Sequence, residues 1–154
     1  MRPLKHIVLG LLLALVLLFV FPKVTFTEAF IVFLSSFLIE FDHYLEFVYR
    51  KKSFSLKKAY QWHVMLEKKT LALSLEKRKR LFLGPNIFHG AEILILFFLA
   101  GIFIHSYFYF ILIGMTLHLV LDISYIFIKE HQIKRISLIY EFFRPTTWDL
   151  IKER

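Results

Sequence analysis

Apolar residues fall into four long runs, at residues 7–21, 26–48, 87–104 and 107–128, parted by short polar breaks and one long basic stretch. None of the runs alternates apolar with polar positions as a half-buried strand would. At ~1.5 Å per residue a helix needs ~20 residues to cross the hydrocarbon of a bilayer, and these runs approach or reach that length. The pattern predicts an all-α, polytopic membrane protein, a bundle of about four transmembrane helices. Arg2 and Lys5 ahead of the first run imitate a signal peptide, but no small-x-small cleavage site follows in Phe19-Val20-Phe21-Pro22-Lys23. We read it as a retained span that Pro22 breaks. The second run is expected to continue as one helix through Glu40, Asp42, His43 and Glu46, because no Gly or Pro intervenes. Asn86, after Gly84-Pro85, is a candidate N-cap for the third span. His105-Ser106 makes a tight turn into the fourth. In the tail, residues 129–154, Ile136, Ile139, Tyr140 and Phe143 form a stripe at helical spacing, and Thr146 with Asp149 suggests a capping box.

Composition sharpens this picture. Hydrophobic residues make up 58% of the 154, with 19 Phe and a mean hydropathy of +0.62, more apolar surface than a soluble domain of this size can hide. One membrane domain accounts for the chain. Cysteine is absent, so any transition metal would have to sit on His and carboxylates. The net charge of +8 is not spread evenly: residues 50–83 hold eleven Lys or Arg against Glu67 and Glu76 alone. Such a segment between apolar runs suits anionic lipid headgroups better than nucleic acid. With Phe54, Tyr60 and Trp62 it reads either as an interfacial amphipathic helix or as a solvated basic loop. The positive-inside rule puts this segment in the cytoplasm and, by counting spans, both termini as well. The two turns on the far side carry one basic residue between them, Lys23.

Ionisable residues inside the spans then stand out. His118 and Asp122 lie one turn apart on one face of the fourth span, where an ionised carboxylate costs ~2.5–3.5 kcal/mol without a partner. At helical rise, Asp42 lies ~24 Å below Phe26, and His118 and Asp122 lie ~17 and ~23 Å below Tyr107. His89 and Glu92 occupy the innermost turns of the third span. Three helices thus place polar groups at one depth, in the cytoplasmic half. Asp42, His43, His89, Glu92, His118 and Asp122 are the candidate metal ligands, suited to one or two Zn²⁺, with Mn²⁺ or Fe as alternatives. Glu40 and Glu46 are candidate catalytic carboxylates outside the ligand set. Interhelical hydrogen bonding and a proton or ion relay are the competing uses of such a cluster. His63 is assigned to the interface, within reach of folding over the site, and His6, His105 and His131 are set aside as bystanders.

Glu40-Phe-Asp42-His43, His89-Gly-Ala-Glu92 and Gly114-Met-Thr-Leu-His118-Leu-Val-Leu-Asp122 together resemble the motifs of the YdjM-like family of membrane-bound metal-dependent hydrolases. That family is similar in turn to zinc-dependent phospholipases C and P1-type nucleases. The resemblance covers residues 30–125, and its last motif matches best. Glu40 stands where the family has Asp, and the family's His-Arg-Gly-x-x-His-Ser is shortened to His89-Gly-Ala-Glu92. The resemblance implies hydrolysis of a phosphoester or phospholipid at the cytoplasmic leaflet. A transporter and a non-catalytic membrane scaffold are the rival readings. Against the transporter, the polar residues favour one leaflet and no internal repeat is visible.

Overall fold

The computed structural model describes residues 3–79, 81, 87–130 and 136–143, and these are helical with intervening turns. The helices are α1 (Pro3–Val20), α2 (Phe26–Leu38), α3 (Phe41–Lys51), α4 (Leu56–Ala72), α5 (Leu75–Lys79), α6 (Ala91–Phe103), α7 (Tyr107–Glu130) and α8 (Leu138–Phe143). A 3₁₀ turn, Ile87–His89, precedes α6. Two of them, α1 and α7, are long and apolar enough to cross a membrane; α6 is a shorter apolar helix.

Local chemistry explains the starts. Pro3 takes the first position of α1, where its missing N–H costs nothing. Thr25 and Glu28 form a capping box at α2: Glu28 N donates to Thr25 Oγ1, and Thr25 N donates to Glu28 Oε2 at 2.7 Å. Ser55 caps α4 by accepting from Lys58 N.

α2 packs between α1 and α7, and α6 lies along α7. Two glycines permit this closeness. A Cβ on Gly10 would fall 1.8 Å from Ser36 Oγ, and one on Gly114 would fall 2.4 Å from the Val32 carbonyl oxygen. Small residues at such seams let helix backbones approach closely. The buried face of α1 is His6, Gly10 and Ala14, spaced by four. Apart from Lys5 the rest of α1 is apolar, and most of it is turned outward, with Phe19 80% exposed; no residue of α6 is buried.

The second run is not one helix. It turns at Ile39–Glu40 between α2 and α3. The cause lies on another helix: His118 Nδ1 approaches the Ser36 carbonyl at 2.8 Å, and Glu40 N bonds instead to Phe37 O at 3.0 Å. A side chain inserted into the i→i−4 ladder is a known cause of helix kinks, and nothing in residues 36–40 alone announces it.

The described part of the basic stretch is folded. α4 lies on α3 through a cluster of Phe47, Ala59, Trp62 and Leu66, and Tyr125 on α7 donates to Glu67. Burying Phe47 there contributes ~1.5–3 kcal/mol. The expected Asn86 cap and the Thr146/Asp149 box lie outside the described residues, as does His131; α6 begins with Gly90 at its N-cap.

Candidate metal centre

Five elements meet at one end of the bundle. His6 sits in the first turn of α1, Glu40 just beyond the end of α2, Asp42 in the first turn of α3, His89 just before α6, and His118 and Asp122 along α7. His6, Asp42, His89, His118 and Asp122 are all buried, and His6 and His118 are at 0% and 1% exposure.

The tightest group is His6, His118 and Asp122, each offering one ligand atom within 4.8 Å of the others. His6 Nε2 stands 3.2 Å from Asp122 Oδ1 and 3.4 Å from Glu40 Oε1. His118 Nε2 stands 3.4 Å from Asp122 Oδ2. The two imidazoles stack with centroids 3.9 Å apart. The tautomer of His118 follows from its other nitrogen. A carbonyl oxygen only accepts, so Nδ1 carries the proton toward Ser36 O, and in the neutral ring the Nε2 lone pair faces the carboxylate. Acceptor then faces acceptor, and a cation or a proton must lie between them. Among the described residues, both ring nitrogens of His6 and Nε2 of His118 are buried without a hydrogen bond, as expected of imidazoles placed to ligate a cation. The Ser36 carbonyl supplies the outer support that ligating histidines ordinarily have. The residues present therefore fit a divalent ion; its identity is not fixed by them.

The cluster extends toward α3 and α4. His89 Nε2 is 3.7 Å from Asp122 Oδ2, and its Nδ1 is 3.7 Å from Asp42 Oδ2. Asp42 also accepts from Phe88 N at 3.0 Å, pinning the 3₁₀ turn. His43 packs against His89 with centroids 4.8 Å apart, and His63 against His43 at 5.3 Å. His63 Nε2 meets the His43 carbonyl at 3.1 Å, so α4 folds this histidine onto the rim of the cluster.

Two expected site residues point elsewhere. Glu92 accepts from Ser137 Oγ and from the amides of Leu138 and Ile139, so its carboxylate caps α8 rather than joining His89. Glu46 accepts from Arg50 Nε at 2.9 Å, one helical turn away from the cluster. His6 corrects the reading in the other direction. Set aside as a bystander near a basic N-terminus, it is a full member of the tightest group. The signal was its i, i+4, i+8 register with Gly10 and Ala14, a small-residue face that ends on the one polar position. His105 stays apart, its Nδ1 accepting from Tyr107 N in the α6–α7 turn.

Comparisons with family models, with curated proteins and with solved structures return no match. The likeness to the YdjM-like motifs thus rests on the residues quoted for it.

Proposed function

We propose that the chain is a multi-pass membrane hydrolase that uses a divalent metal, best suited to Zn²⁺, on a phosphoester or phospholipid at the cytoplasmic leaflet. The observation that carries this reading is the buried His6–His118–Asp122 group, whose ligand atoms lie within 4.8 Å of one another. Nitrogen and carboxylate donors of this kind suit zinc, with Mn²⁺ or Fe as alternatives.

A metal bound there would supply Lewis acidity to the scissile group and acidify a water near neutral pH. The chain's own residues do the rest. Ser36 O and Val32 on α2 fix the ring of His118 and the seam it crosses. Asp42, tied to Phe88 N, faces His89 and holds it toward Asp122. Glu40 is the better placed of the two candidate bases: its carboxylate lies beside His6 and keeps 16% exposure, so it can take a proton and pass it to solvent. Glu46, paired with Arg50, is placed to order α3 instead. The lysines of α4 draw an anionic headgroup toward the rim marked by His63.

Four passes with both termini in the cytoplasm suit this site, since α1 starts, α2 ends and α6 starts where the cluster lies. The test is hydrolysis of phosphatidyl lipids and of a generic phosphodiester in mixed micelles, with metal content measured on the same samples. Asp122→Asn and His118→Ala should lose both turnover and metal, and Glu40→Gln should lose turnover while keeping metal. An Asp122→Asn protein that retains metal and hydrolysis would refute the assignment.

A further inference from the structure

The corner between α3 and α4 is built to face outward. Lys52 ends α3 in a left-handed conformation at φ 51°, with its N–H on Val48 O at 2.9 Å. Tyr44 Oη donates to Phe54 O at 2.9 Å, and Ser55 caps α4. Three separate devices therefore fix a four-residue connection, residues 52–55, that could have been left loose. What they hold out is apolar: Tyr49, Phe54 and Leu56 are 76, 79 and 71% exposed. A folded corner rarely presents three large apolar side chains to water without a partner.

Lysines ring this tip. Lys51, Lys52, Lys57 and Lys58 are exposed around it, and Lys52 Nζ sits 4.6 Å over the Tyr49 ring. Aromatic and aliphatic side chains at the centre with ammonium groups at the edge match the headgroup boundary of a bilayer, apolar below and anionic above. Place in the fold agrees. α3 follows the end of α2 where the buried cluster lies, so in the membrane placement proposed above the corner falls at the membrane face of that end.

We infer that the α3–α4 corner is a docking element for anionic phospholipid, with Phe54 and Leu56 inserted below the headgroups and Lys51, Lys52, Lys57 and Lys58 on the lipid phosphates. The inference rests on the membrane placement proposed above and is independent of the metal. By fixing α3, the docked corner would hold Asp42 and His43, and through α4 His63, at the depth of a lipid phosphodiester.

The cysteine-free chain makes the test direct. Full-length protein carrying Phe54→Cys is labelled with a polarity-sensitive fluorophore and reconstituted into vesicles of phosphatidylcholine with or without phosphatidylglycerol. The label should shift to the blue and become accessible to a lipid-borne quencher when phosphatidylglycerol is present. Neutralising Lys51, Lys52, Lys57 or Lys58 to Gln should lower the equilibrium constant for insertion about fivefold per lysine. The same label at Phe103→Cys, 79% exposed on α6, should be lipid-quenched in both vesicle types. If Phe103 is lipid-quenched while Phe54 stays open to aqueous iodide in both compositions, the docking inference is overturned. Equal insertion with and without phosphatidylglycerol would overturn the role of the lysines. If Phe103 itself is water-exposed, the membrane placement fails first, and the two failures are told apart.

Discussion

Gly114→Ala reaches the candidate metal centre without altering any proposed ligand. Its new methyl would fall 2.4 Å from the Val32 carbonyl oxygen and 3.0 Å from Ser36 N, where ordinary contact begins at 3.4 Å. Ser35 Oγ, 2.1 Å away, can rotate aside, but Val32 O and Ser36 N are backbone of α2 and cannot. The α2–α7 seam must therefore open by about 1 Å, at a stability cost of ~1–3 kcal/mol for overpacking. Ser36 moves with it. Its bond to His118 Nδ1, now 2.8 Å, would stretch beyond hydrogen-bonding reach and free the ring to rotate. Losing the carbonyl that orients a ligating histidine costs ~10–100-fold in metal affinity. The assay is competition against a chelating dye with detergent-purified protein, after size exclusion shows the variant is folded. Gly101→Ala is the matched control, since the atoms nearest its methyl belong to the Tyr109 ring in the α6–α7 seam. A folded Gly114→Ala protein with wild-type affinity would refute the claim that the Ser36–His118 contact positions the site.

Two further outcomes separate the cluster from its surroundings. His6→Ala should lose metal as fully as His118→Ala, whereas Glu92→Gln should keep metal and loosen α8, read as faster amide exchange at Leu138 and Ile139; wild-type metal content in His6→Ala would remove α1 from the site. Reporter fusions after residues 24, 65, 105 and 154 should read outside, inside, outside and inside, and an external reporter at 65 would overturn the four-pass arrangement.

How much of this was legible beforehand depends on whether a residue's role was set nearby or far away. The i, i+4 pair His118/Asp122 is a local fact of one helix, and the all-helical character follows from unbroken apolar runs. The turn at Ile39–Glu40 was hidden because its cause, His118 on Ser36 O, lies 82 residues along the chain. Glu92 looked like a ligand because it is three residues from His89. Its carboxylate is claimed instead by amides 46 and 47 residues later, a partner no local spacing reveals. His6 was masked by its resemblance to the basic start of a targeting segment, although the Gly10 and Ala14 spacing already marked a packed face. His63 was placed at the interface, and the packing of Trp62 on Phe47 is what turns it toward His43.

Metal content is the most direct test of the central proposal that His6, His118 and Asp122 hold a cation. Elemental analysis of wild-type protein purified in detergent without chelators should find a divalent ion, zinc foremost, that His6→Ala, His118→Ala and Asp122→Asn each remove. A metal-free wild type that also fails to take up added Zn²⁺ or Mn²⁺ would contradict the account and leave the cluster as hydrogen-bonded packing between helices.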